Sequence, residues 1–179
     1  MVYVFLAEGF EIIEALSPVD MLRRAKIDVK TVGIGSKRVK SSCGIEITAD
    51  ITEDEFVYDG VQAVVIPGGI PGVNNLDASP FLHSVLDKAY SDNVLICAIC
   101  AGPSIIGKKN FLNGKRATCY PGYEQYLNGA VTDGEYVVKD GNIITARGAG
   151  VSVDFGLEIV SAISGKEASE KVRKAIQCR

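Results

Sequence analysis

Short, mostly apolar runs of strand length, separated by stretches with helical spacing, constrain this chain more than any other feature. Val2 to Leu6, Val61 to Ile66 and Val94 to Ile99 are rich in β-branched residues. A strand with one face in water alternates apolar and polar residues, whereas runs like these suit strands buried on both faces. That is the condition of central parallel strands, and parallel strands need long crossovers, usually helices, between them. Helical spacing appears where such crossovers would lie. From Glu11 to Arg24 the apolar residues are Ile12, Ile13, Leu16, Val19 and Leu22. Pro18 inside this run should kink or split it, and Arg23, Arg24 and Lys26 close it where cations suit the negative helix end.

The remaining segments continue the alternation. Ile27 to Ile34 reads as a strand, and Val39 to Thr48 as a short hairpin around Gly44. Ser79 to Tyr90 reads as a helix, and Ala101 to Lys108 starts another. Tyr136 to Lys139 and Asn142 to Ala146 are shorter strand candidates, and helices over Val153 to Ile163 and Lys166 to Gln177 finish the chain. The expected fold class is therefore α/β: a mostly parallel sheet with helices on both faces, in one domain spanning 1–179. In such sheets binding sites form at the carboxyl ends of strands.

Composition removes several function classes. The net charge of -3 and pI near 5.3 supply no basic field, so neither nucleic acid nor an anionic membrane surface is expected as partner. Glu8 and Glu11 follow the first apolar run at once, so no signal peptide or spanning helix is expected there. Five cysteines without a regular framework read as free thiols in a reducing cytoplasm. No metal-ligand spacing and no phosphate loop is evident, so neither metal nor cofactor is expected. The only histidine is His83, which limits acid–base chemistry.

Chemistry concentrates in three segments. In Val94 to Pro103 a buried strand runs into a small-residue turn that opens a helix, with Cys100 at the join. This is the arrangement of a nucleophile elbow. The Ala101 amide and the positive helix end beside the sulfur should lower its pKa. A small core cysteine at a strand end fits the spacing equally well. Cys97 and Cys100 spell C-x-x-C, but Cys97 falls inside the strand, on the opposite face and roughly 10 Å away by strand rise. That is too far for a disulfide, so Cys97 reads as core.

The second segment is Ile66-Pro67-Gly68-Gly69-Ile70-Pro71-Gly72. Glycines at a strand end admit close approach of backbone to a ligand, and the Gly69 and Ala101 amides could form an oxyanion hole. A tight turn is the plainer explanation. The third segment, Ala7 to Glu14, places Glu11 and Glu14 on one helical face in the first turn. Acids there are commonly just solvated and favoured by the helix dipole. A carboxyl set against the Cys100 sulfur would instead stay protonated and serve as a general acid/base.

Together these segments resemble the ThiJ/PfpI family, in the branch of the Parkinson-associated protein deglycase. The resemblance runs end to end: EGFEIIE, PVDMLRRA, IPGG, AICAGP, and a late RGAG followed by VDFGLEIV. It implies a flavodoxin-like three-layer sandwich, a homodimer, Cys100 as reactive cysteine, Glu14 as its hydrogen-bonding glutamate, and Gly69 and Ala101 as backbone donors. Gly68, Tyr120, Arg24 and Arg147 become pocket candidates, although helix-end capping explains Arg24 equally well. Two departures matter. The family's proteases carry histidine directly after the cysteine, where this chain has Ala101. Deglycase-like members often have a later histidine near the sulfur, where Thr118-Cys119-Tyr120-Pro121 offers Tyr120. A Cys–His dyad would need His83 of a partner chain. Cys119 reads as an inert buried thiol or a resolving one.

The resemblance implies cofactor-free, cysteine-dependent conversion of 2-oxoaldehydes such as methylglyoxal to 2-hydroxy acids, or hydrolytic removal of their early adducts from proteins. The partner would be a small carbonyl compound or a glycated adduct. An oxidative-stress sensor or chaperone-like protein, using sulfinate at Cys100, is the alternative. A thiol protease or amidase ranks third for want of histidine.

Overall fold

The computed structural model describes residues 1–178. In chain order the elements are β1 (Val2–Leu6), α1 (Ile12–Arg24), β2 (Val29–Gly33), β3 (Arg38–Lys40), β4 (Glu46–Thr48), β5 (Ile51–Thr52), β6 (Ala63–Ile66), α2 (Gly72–Asp77) and α3 (Pro80–Ser91). Then come β7 (Leu95–Ile99), α4 (Pro103–Lys108), β8 (Val137–Asp140), β9 (Ile143–Ala146), α5 (Ser152–Ser164) and α6 (Lys166–Ala175). Seven strands form one sheet in the order β5-β2-β1-β6-β7-β9-β8. All neighbours are parallel except β8 against β9. Every residue of β1, β6 and β9 is buried, as runs without alternation require.

Two apolar layers flank the sheet, which makes the three-layer sandwich. On one side Val4, Leu6, Val65 and Ile99 of the strands meet Leu22 of α1, Phe155 and Ile159 of α5 and Val172 of α6. On the other, Phe5, Ile66 and Ala98 meet Leu76 of α2, Leu82 and Leu86 of α3 and Ile105 of α4. Each fully buried Leu, Ile or Phe contributes about 1.5–3 kcal/mol.

Pro18 does not split α1, which runs unbroken through it. Its missing N–H costs one interior hydrogen bond, but Pro18 is buried against α5, and packing holds the helix together. Gly156 permits that approach: a Cβ there would stand 2.9 Å from the Pro18 Cα. The hairpin around Gly44 forms as expected, from β3 and β4. It clamps the loop after β1 through Gly9 N–H to the Lys40 carbonyl and Ser42 N–H to the Phe10 carbonyl, both 2.8 Å.

The chain passes from β1 outward to β2 and returns on the other side of β1 through β6. The reversal leaves a crevice at the carboxyl ends of β1 and β6, where crossovers depart to opposite sides. The Glu14 and Gly68–Gly69 segments start there, with Cys100 on the next strand.

Candidate active site

Four strand ends build the site. After β1, the loop to α1 delivers Glu14, because Glu11 caps the helix: its side chain accepts from the Glu14 amide at 2.7 Å. The cap fixes the first turn, which points the Glu14 carboxyl inward, where only 1% of the residue is exposed. After β6, Gly68 N–H donates to Glu14 Oε2 at 2.9 Å, and Glu11 N–H donates to the Gly68 carbonyl at 2.9 Å. A Cβ at Gly68 would fall 2.6 Å from the Cys100 Cβ and 3.0 Å from its Sγ, so no side chain fits. Gly69 has φ +93°, a left-handed conformation that glycine adopts freely.

After β7, Cys100 adopts φ +63°. For a residue with a Cβ this costs about 1–2 kcal/mol. Two hydrogen bonds hold it: Cys100 N–H to the Ala146 carbonyl at 2.9 Å, and Tyr120 N–H to the Cys100 carbonyl at 2.8 Å. The turn ends the strand's alternation. Cys97 and Cys100 therefore border the same apolar layer, α1 and α5, rather than opposite faces. Cys97 is nonetheless core: it is fully buried and unpaired, and burial first, then Glu158, holds its thiol well above the usual range.

The side chains of Cys100 and Glu14 are hydrogen-bonded, and the amides of Ala101 and Gly69 donate to the sulfur. A fourth strand end, after β9, adds the Ala149 amide as a second backbone donor to the Glu14 carboxyl. Burial, then the nearby Glu11 carboxylate, outweighs these donors and raises the Glu14 carboxyl from its ordinary 4.5 to about 7. The Cys100 thiol is also raised, to about 12, by burial first and then by Glu14. This corrects the expected depression. The helix after Cys100 is only six residues long and begins at Pro103, so its dipole adds little, and the two amides do not offset burial. Both groups thus hold their protons more tightly than in water, and one hydrogen bond joins them.

Residues 1–162 match the DJ-1/PfpI family. The chain belongs to that family. It is 38% identical over 176 residues to Protein dj-1beta of Drosophila melanogaster, covering 97% of this chain and 94% of the relative. It is 30% identical to the glutathione-independent glyoxalase DJ-1 of Schizosaccharomyces pombe, covering 98% and 97%. An oxidised DJ-1 structure from Toxoplasma gondii superposes with a TM-score of 0.94 at 27% identity, covering 99% and 97%.

In this DJ-1/PfpI chain the fold brings Glu14, Gly68, Gly69, Cys100 and Ala101 into one cluster. Tyr120 and Arg147 line an open groove of about 530 Å³ beside it, together with Tyr136 and residues 148–151. Gly148 links the two: a Cβ there would lie 3.4 Å from the Tyr120 ring and 3.8 Å from Glu14 Oε1. Arg24 is not part of the cluster. It sits ten residues beyond Glu14, about 15 Å along the helix, exposed and paired with Asp20 at 2.8 Å. His83 is half-buried. Its Nε2 lies 2.7 Å from the Asp77 carbonyl, among α2, α3 and α4, so no Cys–His dyad forms within the chain. Ala149 and Tyr136 escaped the sequence reading. The glycines of RGAG were the available signal for close backbone approach at Ala149, and Tyr136 carried none. Among the described residues no cluster suits a metal ion, and no helix is long and apolar enough to cross a membrane.

Proposed function

We propose that this chain is a glutathione-independent glyoxalase that converts 2-oxoaldehydes to 2-hydroxy acids. One observation carries the reading: a buried carboxyl with pKa near 7 is hydrogen-bonded to a half-buried thiol on an elbow. The name of the S. pombe relative points to the same chemistry.

The sulfur adds to the aldehyde carbon of methylglyoxal as Glu14 takes the thiol proton, which forms a hemithioacetal. The Gly69 and Ala101 amides face the developing oxyanion. Glu14 passes the thiol proton to that oxyanion, then takes the proton from the former aldehyde carbon and delivers it to the adjacent carbonyl carbon, while the hydroxyl proton moves to the neighbouring oxygen. The first carbon is oxidised to a thioester while its neighbour is reduced to an alcohol, so no outside oxidant is needed. Water cleaves the thioester, releasing lactate and the free thiol. Displacement of the amine or thiol from an aminocarbinol or hemithioacetal adduct by the Cys100 sulfur, with Glu14 passing the thiol proton to the leaving group, would give the same enzyme-bound hemithioacetal and make the protein a deglycase.

Purified protein with methylglyoxal should yield lactate by proton NMR, and Cys100→Ala should yield none. Absence of lactate from the wild type overturns the reading. The chain is further proposed to work as a cytoplasmic homodimer. Five unpaired cysteines support a reducing compartment, and Ile13, half exposed on α1 beside Glu14, supports an apolar contact between copies.

A second reading, peroxide sensing, is favoured by the oxidised state of the T. gondii relative. Two equivalents of peroxide would convert the Cys100 thiol to sulfinate and release two waters. Glu14 and the two amides would hold its oxygens. Mass spectrometry after mild peroxide should find both added oxygens at Cys100, and equal oxidation of all five cysteines overturns the idea.

A further inference from the structure

Six arginines lie in the described part of the chain, and five of them reach a carboxylate. Arg23 pairs with Asp50, Arg24 with Asp20, Arg38 with Glu46, Arg116 with Asp133 and Arg173 with Asp154. Arg147 forms no ion pair among the described residues. Its guanidinium lies 5.3 Å over the Tyr136 ring and 3.4 Å from the Gly134 carbonyl, and it lines the groove that adjoins the thiol.

From this we propose that the groove is a carboxylate subsite, in which Arg147 selects 2-oxoaldehydes or adducts that carry an anionic arm. The inference rests on the glyoxalase reading only in that the bound electrophile reacts at Cys100.

The groove is much roomier than a three-carbon aldehyde needs, so its walls have something further to recognise. Two of them are tyrosine rings, Tyr120 and Tyr136, which line the groove and are more than half exposed. The third is a half-buried guanidinium, whose planar fork matches a carboxylate with two parallel hydrogen bonds. The stacked Tyr136 ring and the backbone bond from Arg147 N–H to the Tyr136 carbonyl at 3.0 Å orient the side chain beforehand. The floor, residues 148–151, runs into α5, and the Val151 side chain caps none of that helix's first amides. The acid of that first turn, Asp154, is held by Arg173 at 2.8 Å.

Glu124 is the acid that shares a surface with Arg147, across a small separate cleft. Its Oε2 accepts from the Gly122 amide at 2.7 Å, so it weakens the guanidinium's field without occupying its fork. A strut role, in which Arg147 merely steadies the loop at Gly134, competes with this proposal and makes a different prediction.

Two thiol reagents of equal length test it without any turnover: N-(iodoacetyl)glycine, which is anionic, and N-(iodoacetyl)glycinamide, which is neutral. Alkylation of Cys100 is followed by mass spectrometry, and the anionic-to-neutral rate ratio is normalised to that of a free thiol. In the wild type the normalised ratio should be roughly tenfold above unity, the scale of one charge-assisted contact, and should decline as salt is added. Arg147→Met should bring it to unity, and Arg147→Lys should keep part of it. A wild-type ratio of unity overturns the proposal. So does an Arg147→Met ratio equal to the wild type's, including the case where both rates fall in step, which is the signature of a strut. The wild-type ratio and its salt dependence need no variant to fold. If lactate is not formed but the ratio behaves as described, the subsite stands and the glyoxalase reading falls.

Discussion

Cys100 and Cys119 both have thiols raised by burial, in very different surroundings. Burial is the first cause in both, and both are pushed up to about 12. Each has an acid nearby that adds to the rise, Glu14 for one and Glu124 for the other. Cys119 lies in a cleft of about 80 Å³ and is 3% exposed, and none of the described hydrogen bonds reaches its sulfur. Cys100 receives two backbone amides and a carboxyl that can take its proton. Resting basicity therefore does not separate the two thiols. What separates them is the set of groups that the proposed chemistry would use as the new bond forms: a carboxyl in contact with the S–H, and amide donors on the sulfur.

The sharpest test of that contrast is to change the two sulfurs one at a time. Cys100→Ser should lower kcat/KM for methylglyoxal by on the order of 10³-fold or more. Cys119→Ser should stay within about twofold of the wild type, as an inert buried thiol would. Comparable losses in both variants would break the distinction between the two thiols.

Next in size is the proposed base. Glu14→Gln should cost about 10²–10⁴-fold in rate. It should also stabilise the protein, with a definite pH signature. The native carboxyl holds its proton up to about pH 7 while the unfolded one releases it near 4.5. Between those values the native state binds more protons, so wild-type stability falls as pH rises. Gln has no such loss, and its advantage should grow across that window toward about 3 kcal/mol above pH 7. Urea melts at pH 4 and pH 8 would show it, and a constant offset between the two would count against a buried, ionising Glu14. In the same variant the pH midpoint of Cys100 alkylation should fall, because the carboxylate that raises it is gone, while that of Cys119 should not move.

Smaller still is the effect of crowding the elbow. Gly68→Ala puts a methyl against the Cys100 Cβ and the Glu14 carboxyl. It should destabilise the fold by about 1–3 kcal/mol and slow turnover on the order of 10²-fold through misplacement. The smallest change is Glu11→Gln. Glu11 repels the Glu14 carboxylate and caps its amide, so the neutral side chain should lower the Glu14 pKa. The acid limb of the pH–rate profile would then move to lower pH with little loss of maximal rate.

The architecture was legible because its signals are local. Runs such as Ala63–Ile66 admit only a doubly buried strand, and the periodicity of α1 and α5 survives into the structure with ends moved by a residue or two. Of the kink or split expected at Pro18, the split did not occur, since propensity charges the lost hydrogen bond and cannot see the α5 contact that compensates. The two-residue β5, paired to β2, was too short to leave a pattern. The short helix α2 was hidden behind the prolines and glycines before it.

At the site, the sequence by itself determined which groups were available: one thiol at a strand-to-helix join, an acid in the first turn after β1, glycines after β6, and a single histidine. It could also place these segments at strand ends, because alternation and handedness leave few ways to wind a parallel sheet. Only the tertiary structure decided how deeply the thiol and carboxyl are buried. That depth reversed the expected thiol shift, since desolvation depends on everything packed around a charge and not on its neighbours in the chain. The tertiary structure likewise separated Arg24 from Arg147. Helix α1 carries one away to Asp20, while the strand end of β9 sets the other in the groove, with no ion pair among the described residues.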